Sequence, residues 1–249
     1  MRELTPPDSP RDKRSSTVSA AVLDPLLDRD PVGPRITYYD DATGERIELS
    51  TVTLANWAAK TANLLRDELG AGPDSRVAVL LPAHWQTAAV LFGIWYIGAE
   101  VVLGPSEADV ALCTADRFAE ADAAVGSGEI AVLSLDPFGK PVPDLPVGVT
   151  DYATSVRVHG DQIIPEHTPG PALDGRSVAE LLTAAAGSAT AQGLTAGDRV
   201  LSTARWDSPD ELTENFLAVF AAGASLVFVA NPDAALMDRR REIEKITRG

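Results

Sequence analysis

The chain has 249 residues, of which 45% are hydrophobic, and its formal net charge is −15 with an isoelectric point near 4.5. A chain of this length buries roughly 70–75% of its unfolded surface and needs no disulfide or metal to hold a core. The acidity argues against nucleic acid and anionic membranes as partners, because both would repel the protein.

The sequence contains a single cysteine, Cys113. No intrachain disulfide can therefore form, and a reducing compartment is expected. Cys113 lies in the apolar run VALCTA, which indicates a small core residue rather than a nucleophile. No segment reaches about 18 uninterrupted apolar residues, and the N-terminus lacks the apolar region of a secretory signal. These features predict a cytoplasmic protein.

The first predicted lobe covers residues 17–150 and follows a tail at 1–16. The tail is polar, contains prolines and carries charges of both signs, which predicts a segment that is disordered or draped over the surface. From Thr17 the pattern predicts a short amphipathic helix that contains Pro25. A β-hairpin is predicted next, at 35–50, because β-rich ITYY and alternating RIEL flank a turn.

Long apolar runs predict the buried part of this lobe. The run RVAVLLP (76–82) has strand length and is apolar after its first residue, as in a parallel strand buried on both faces. Residues 85–97 are apolar around nearly the whole circumference of a helix, which predicts a buried helix. The other elements predicted here are a helix from Ser50 or Thr51 to Gly70, strands at 100–105, 108–115 and 129–136, and a short helix at 117–125.

A second, partial α/β lobe is predicted at 151–249, after a Pro- and Gly-rich connection at 138–152. We expect one or two strands within 152–166, with QII as one of them, and a loop at 167–175. The remaining predicted elements are a helix with a capping box at Ser177 and Glu180, a strand at 199–205, a helix from Pro209 to Gly223 with a second capping box at Ser208 and Glu211, a strand at 225–230, and a charged C-terminal helix from Asp233.

The two lobes repeat one sequence pattern. Gly70 and Arg76 correspond to Gly193 and Arg199 at an offset of 123 residues (193 − 70 and 199 − 76), and Gly98 corresponds to Gly223 at an offset of 125. Each copy reads as a turn, an Arg-Val strand, a helix, a Gly-Ala turn and an apolar strand. A repeat on this scale predicts two related, layered α/β lobes with mainly parallel sheets.

The segment LSTVTLANWAAKTANLLRDELGAGPDSRVAVLLPAHWQTAAVLFGIWYIGAEVVLGP resembles the start of the adenylate-forming superfamily of AMP-binding enzymes and acyl-CoA synthetases. GLTAGDRVLSTARW and AAGASLVFV resemble a later part of the same N-terminal domain. That superfamily places a Ser/Thr/Gly-rich loop ending in Gly-x-Pro-Lys between these stretches, and its backbone N–H groups and lysine hold the ATP phosphates.

This sequence departs from that pattern at the phosphate loop. The corresponding segment is HTPGPALDGRS, which has two glycines, no run of serine and threonine, and no lysine. Lys140, in the tetrapeptide FGKP, echoes the motif but falls too early and precedes a loop rather than a helix. We interpret it as a surface lysine. The resemblance therefore implies a homologue that lacks the phosphate loop.

The superfamily's substrate pocket, adenine and ribose motifs and C-terminal domain all follow the point that corresponds to Thr247. The resemblance thus implies a truncated homologue, incomplete at its C-terminus. It transfers no catalytic, cofactor-binding or metal-binding residue to this chain. We therefore predict no catalytic residue, no cofactor and no metal site.

Other polar groups are interpreted structurally. His84, His159 and His167 lack metal-ligand spacing, although His84 follows a strand end, where an open α/β sheet presents its ligands. We predict a loop residue at His84, with a ligand contact as the alternative. The remaining interpretations are a turn at Gly126-Ser-Gly128, a hairpin turn at Asp40-Asp41, a capped helix start at Asp210-Glu211, pairing of Arg76 and Arg199 with nearby aspartates, and solvated side chains at Arg239–Arg241.

Three functions remain open. The first is an uncharacterised, non-catalytic acyl-CoA synthetase-like protein that acts by binding or assembly. The second is a small-molecule binder or enzyme that uses the crevice between the lobes without ATP chemistry. The third is a half-enzyme that another chain completes.

For partners we expect a homodimer or a protein partner, with no nucleic acid, no membrane and an unknown small-molecule ligand. The expectation rests on an uncovered strand edge or helix face in the second lobe, with Phe216, Phe220 and Leu236 as the side chains of interest. The alternative is that the C-terminal helix covers this edge by itself.

Overall fold

In the computed structural model the described residues are 17–249, so the tail predicted at 1–16 lies outside them. The helices are α1 (Val18–Arg29), α2 (Thr51–Asp67), α3 (Trp85–Tyr96), α4 (Phe118–Val125), α5 (Tyr152–Ser155), α6 (Val178–Ala191), α7 (Pro209–Leu212), α8 (Ala218–Ala221) and α9 (Ala234–Ile243). A π turn (Thr213–Leu217) joins α7 to α8. The strands are β1 (Pro34–Asp40), β2 (Glu45–Ser50), β3 (Arg76–Leu80), β4 (Glu100–Leu103), β5 (Val110–Thr114), β6 (Glu129–Leu133), β7 (Thr150–Asp151), β8 (Arg199–Ser202) and β9 (Ser225–Ala230).

These strands form two sheets. One sheet has the order β4-β3-β5-β6-β7, with parallel neighbours throughout, and the other has the order β2-β1-β9-β8. In the second sheet only the β1–β2 hairpin is antiparallel. The predicted α/β class with mainly parallel sheets is therefore confirmed.

The hairpin joins the sheet of the second lobe. Strand β1 runs parallel to β9, from Ile36 opposite Leu226 to Asp40 opposite Ala230. A division of the chain at residue 150 therefore separates the hairpin from the sheet that it completes. The sequence pattern could not reveal this pairing, because local periodicity predicts a strand but not a partner about 190 residues away.

The molecule is built in five layers around α3. The central core contains side chains from the inner faces of both sheets, including Val77 and Leu226, and all twelve residues of α3 are buried between them. Helix α2 approaches α3 closely at Gly93, where a Cβ would lie 2.8 Å from Thr61 Cβ. The buried helix predicted from its apolar circumference is therefore confirmed.

Each sheet also has a helix on its outer face. Alternate side chains of the five-stranded sheet, with Cys113 among them, pack against Ala121 and Val125 of α4. On the other sheet, Val227 and Val229 face Met237 of α9. This covering of both faces explains why the parallel strands are apolar along their whole length.

The repeat predicted from the sequence is confirmed in the backbone. Glu100 N–H donates to Ser75 O at 2.9 Å, and Ser225 N–H donates to Asp198 O at 3.0 Å, one hydrogen bond in each copy. Gly98 and Gly223 end the helices of the two copies with φ of +73° and +81°. Strands β3–β4 and β8–β9 are accordingly equivalent parallel pairs.

The strands predicted within 152–166 are wrong. Asp151 caps α5 by accepting the N–H of Thr154, and a 3-10 turn (Val156–Val158) follows. Val156 is buried whereas Val158 is exposed. The sequence Val-Arg-Val alternates between apolar and polar residues as a strand does, but the helical turn places the two valines on different faces. The QII segment has no regular structure.

Two of the three side chains proposed for an uncovered surface are buried within the chain. Phe216 and Phe220 lie in the central core, whereas Leu236 is 40% exposed. Beyond α9, the N–H of Thr247 donates to Arg199 O at 3.0 Å, along the outer edge of β8. The surface on which the assembly prediction relied is therefore largely covered in this structure.

Charged residues hold α9 against the four-stranded sheet through ionic contacts. The guanidinium of Arg240 pairs with Asp41 and lies 4.2 Å from the centre of the Tyr39 ring. Arg240 is only 7% exposed, so the prediction of three solvated arginines is wrong at this position. The cause is that α9 lies against the sheet and turns Arg240 towards the β1–β2 turn.

Glu244 is the centre of a second ionic contact at the end of α9. Its carboxylate accepts hydrogen bonds from Tyr39, Arg46 and Arg199. Burial by itself raises the pKa of Glu244, but these hydrogen bonds lower it to about 2. The ionised carboxylate therefore stabilises the folded chain.

We predict that Glu244→Gln lowers the free energy of unfolding by about 3 kcal/mol at pH 7, because it leaves Arg199 without its buried partner. A carboxyl whose pKa is depressed on folding contributes stability above its unfolded pKa, near 4.5, that is lost as the pH falls towards 2. The difference between wild type and variant should therefore shrink over this range in urea unfolding. The exposed Glu242→Gln on the same helix is the matched control, and equal effects of both substitutions would contradict the prediction.

Candidate functional site

A cleft opens where the carboxyl ends of the two parallel sheets meet. It has a volume of about 660 Å³ and is lined by the ends of β3, β4 and β5 on one side and of β8 and β9 on the other. We call it the inter-sheet cleft; its lining includes Leu81, Leu103, Thr203, Trp206 and Phe228. Open α/β sheets bind ligands at this edge, outside the carboxyl ends of their strands.

Trp206 is the notable residue of the cleft. It is 4% exposed, and its Nε1 is the one buried side-chain nitrogen or oxygen in the described part of the chain that has no hydrogen-bond partner. The indole is held by rings of Phe216 and Phe228, at centroid distances of 4.6 and 5.5 Å. A buried donor without an acceptor costs about 1–3 kcal/mol. An acceptor supplied by a ligand would recover that cost.

The two arginines at the rim of the cleft are paired with carboxylates and reach solvent. Arg205 is 81% exposed and pairs with Asp207. Arg117 pairs with Glu120 at 2.7 Å on the surface. These groups can contact a polar part of a ligand, but the lining residues that the structure describes include no buried carboxylate or histidine suited to proton transfer.

His84 lies beside the cleft, in a neighbouring cavity of about 800 Å³ that shares Pro82 and Asn231 with it. Its Nδ1 accepts the N–H of Gln86 at 3.1 Å and thereby caps α3. Burial lowers the pKa of His84 to about 3, so the ring is neutral near pH 7. Its Nε2 lies 3.9 Å from Glu45, whose pKa burial raises. His84 is therefore the loop residue that precedes α3, as predicted, and its side chain caps that helix. Its ring also lines the neighbouring cavity.

The segment at 167–177, which stands where the superfamily has its phosphate loop, is fixed to the edge of the five-stranded sheet. Leu173 forms a parallel bridge with Val101 of β4. The carbonyl of Ala172 accepts the indole N–H of Trp95 at 2.7 Å. The loop predicted at 167–175 is confirmed, and an isolated bridge attaches it to the edge of the sheet.

Every backbone N–H of this segment has an acceptor within the described chain. Eleven residues less two prolines leave nine N–H groups. Two of them donate to Glu166 and one to Glu180, both carboxylates. Gly175 donates to the Glu100 carboxylate at 2.6 Å. The remaining five donate to carbonyl oxygens of Gly98, Val101, Leu173 and Arg176.

The other charged groups singled out in the sequence have structural partners. Lys140 is 75% exposed and lies 4.0 Å from Asp136. Arg76 and Arg199 each pair with a glutamate, Glu100 and Glu244, so the prediction of aspartate partners is wrong in the type of acid. Glu100 begins β4 and Glu244 directly follows α9, so each lies far along the chain from its arginine. These pairs depend on the tertiary fold and were not visible in the sequence.

The remaining polar residues are also accounted for. Asp40 accepts the N–H of Ala42 in the hairpin turn, and Asp210 pairs with Arg176 at 2.8 Å. The hydroxyl of Ser208 accepts the N–H of Glu211, and the capping box predicted at Ser177 is complete. The turn at Gly126–Gly128 precedes β6, as predicted.

Within residues 17–249 no group of three or more His, Cys, Asp or Glu side chains is arranged to hold a metal ion. His159 instead contacts Glu68 at 2.9 Å. None of the helices in this range is long and apolar enough to cross a membrane.

Comparison with known proteins gives consistent similarities. The family model described as "AMP-binding enzyme" matches residues 30–108. A "TIGR03089 family protein" from Mycobacterium tuberculosis (strain ATCC 25618 / H37Rv) is 73% identical over 237 residues, which cover 94% of this chain and 98% of the relative.

Solved structures share the fold of this chain, and two of them match it as follows. An acyl-CoA synthetase from Brucella canis has a TM-score of 0.76 and 17% identity, and the match covers 93% of this chain and 46% of that one. An anthranilate CoA ligase in complex with anthranoyl-AMP has a TM-score of 0.69 and 17% identity, over 88% of this chain and 45% of that one. The chain spans about half the length of these structures, and at such identities the likeness establishes the fold alone.

We predict that Cys113 does not act as a nucleophile. It is fully buried on the outer face of the five-stranded sheet, in the cluster that α4 covers, and burial raises the pKa of its thiol to about 11. At pH 8 a disulfide reagent should therefore label the native protein at least ~100-fold more slowly than the protein unfolded in guanidinium. Labelling of the native protein within minutes would contradict this assignment.

Proposed function

The chain belongs to the TIGR03089 family, and from that premise we propose that it is a non-adenylating, acyl-CoA synthetase-like protein that acts by binding. The proposal rests on the hydrogen bonds of one segment. The backbone N–H groups at 167–177, which would have to converge on a triphosphate, all donate to acceptors of the chain itself.

Energetic considerations support the same conclusion. A phosphate loop binds through several convergent N–H groups and a cation. Turning Gly175 and Asp174 outward would break their hydrogen bonds with Glu100 and Val101. Each acceptor left buried without a donor costs about 1–3 kcal/mol.

The local charges also disfavour ATP. The segment contains Asp174 and no lysine, and its one arginine, Arg176, pairs with Asp210. Its neighbour Glu100 is 8% exposed and pairs with Arg76. A triphosphate placed here would face two carboxylates in a chain of net charge −15. The expected outcome is repulsion that weakens only as salt screens it.

We predict that Mg-ATP produces no binding heat in calorimetry at concentrations up to ~1 mM, at either low or moderate salt. ATP–pyrophosphate exchange should remain at background with acetate, benzoate and octanoate as the carboxylic acid substrates. A dissociation constant in the micromolar range for ATP, or exchange that depends on one of these acids, would contradict the proposal.

A second function, recognition of a small molecule in the inter-sheet cleft, is favoured by the unpartnered Nε1 of Trp206. The apolar lining from Leu81, Leu103 and Phe228 suits an uncharged body, and the indole N–H suits a carbonyl or ether oxygen. The ligand class proposed is therefore a compact, largely apolar molecule with one buried acceptor.

The indole N–H resonance of Trp206, assigned by its loss in Trp206→Phe, should shift downfield when carbonyl-containing fragments are added. The resonance of Trp95 is the internal control, because its Nε1 already donates to Ala172 O at 2.7 Å. Fragments that shift Trp206 but not Trp95 would support the cleft as a ligand site. A Trp206 resonance that no fragment moves, or equal shifts of both resonances, would count against it.

A further inference from the structure

A smaller cavity lies apart from the inter-sheet cleft and shares no lining residue with it. Its volume is about 270 Å³, and it lies between α2, the start of α3, the turn at 136–139 and α5. We call it the aromatic pocket, formed by Trp57, Lys60, Trp85, Phe138, Tyr152 and Arg157.

The walls of this pocket are aromatic rings held in place by the fold. Trp57 and Trp85 meet edge to face, with ring centroids 5.7 Å apart. The Trp85 indole N–H donates to Glu45, and the Tyr152 hydroxyl is hydrogen-bonded with Thr61 at 2.7 Å. Because these polar ends are occupied elsewhere, the rings can present apolar surface to the pocket.

Two cations line the same pocket without a carboxylate partner in the described part of the chain. Lys60 Nζ donates to the carbonyl of His159, and Arg157 Nη2 donates to the carbonyls of Phe138 and Gly139. Both groups retain further N–H donors. Unneutralised cations are notable in a protein with 36 acidic and 21 basic residues.

Asp136 is the carboxylate among the described lining residues, and it is already engaged. Its Oδ1 accepts the backbone N–H groups of Phe138 and Lys140, at 2.9 and 3.3 Å. Its Oδ2 faces the ammonium of Lys140 at 4.0 Å. The carboxylate of Asp136 is thus occupied by the FGKP turn, and Lys60 and Arg157 are the charged groups that remain available to a ligand.

We propose that the aromatic pocket binds a small aromatic anion of single-ring size, a carboxylate or a sulfonate. The ring packs against Trp57, Trp85 and Phe138 in edge-to-face or offset contacts, and the anionic group accepts hydrogen bonds from Lys60 and Arg157. The cavity volume suits one ring and its substituent and excludes a nucleotide. Binding at this site does not depend on whether the chain binds ATP at 167–177, and the pocket is separate from the inter-sheet cleft.

The test titrates the full chain with benzenesulfonate, which has no carboxylate to be adenylated, and follows the indole N–H resonances of Trp57 and Trp85. We expect a dissociation constant of ~1 mM or lower, consistent with a ligand of so few atoms. Benzylamine, which carries the opposite charge on a similar ring, should bind at least ~10-fold more weakly. Affinity for benzenesulfonate should also fall as potassium chloride is raised from ~50 to ~500 mM, because the contact is ionic.

Variants locate the site. Lys60→Gln and Arg157→Gln should each weaken benzenesulfonate binding by about 5–10-fold. Arg66→Gln is the matched control, because Arg66 lies on the same helix as Lys60 but pairs with Asp67 on the surface. Its affinity should equal that of the wild type, and thermal melting should show that all three variants fold.

Three results would overturn the proposal: no binding at 10 mM benzenesulfonate, equal binding of benzylamine, or equal losses in Lys60→Gln and Arg66→Gln. Benzenesulfonate that shifts the Trp206 resonance and leaves Trp57 and Trp85 unmoved would place the anion in the inter-sheet cleft and also overturn it. Should Lys60→Gln prove unstable, the salt dependence and the benzylamine comparison in the wild type decide the question.

Discussion

The structure depends on the burial of α3 from every side. A helix whose whole circumference is apolar is stable only when other elements cover all of it, and here the inner faces of two sheets and the neighbouring helices do so. This requirement places the sheets on opposite sides of one helical layer. The carboxyl ends of both parallel strand pairs meet at one edge and form the inter-sheet cleft.

Hydrogen-bond donors are satisfied at one of the two places where this fold can bind a ligand and unsatisfied at the other. These places are the segment at 167–177 and the inter-sheet cleft. The N–H groups at 167–177 all donate within the chain, which leaves none directed at a phosphate. The indole of Trp206, in contrast, is buried and has no acceptor among the described residues. The arrangement thus favours a ligand that offers an oxygen atom to the cleft over a nucleotide held at the edge of the sheet. The aromatic pocket adds a third kind of chemistry, in which Lys60 and Arg157 face apolar rings.

Local patterns in the sequence predicted much of the fold. The offset between the two Arg-Val segments predicted equivalent strand pairs, and the apolar run at 85–97 predicted the central helix. The parallel pairing of β1 with β9 and the burial of Arg240 were not predicted, because both depend on contacts between residues about 190–200 positions apart. The site followed the same rule. The missing lysine at 167–177 was visible in the sequence, whereas the orphan donor of Trp206 and the pocket of Trp57 and Lys60 depend on how distant elements pack. An Arg-Trp pair after β8, at a strand end, was the one available signal for the cleft.

Amide hydrogen exchange at residues 170–176, measured with and without Mg-ATP, shows whether the N–H groups of this segment are free to bind phosphate. Amides that donate within the chain at a sheet edge exchange slowly until that region opens. We expect these amides to be protected in the free protein and an excess of Mg-ATP to leave their exchange rates unchanged. Fast exchange in the free protein that slows on addition of Mg-ATP would contradict it, because it would show donors that are free to bind phosphate.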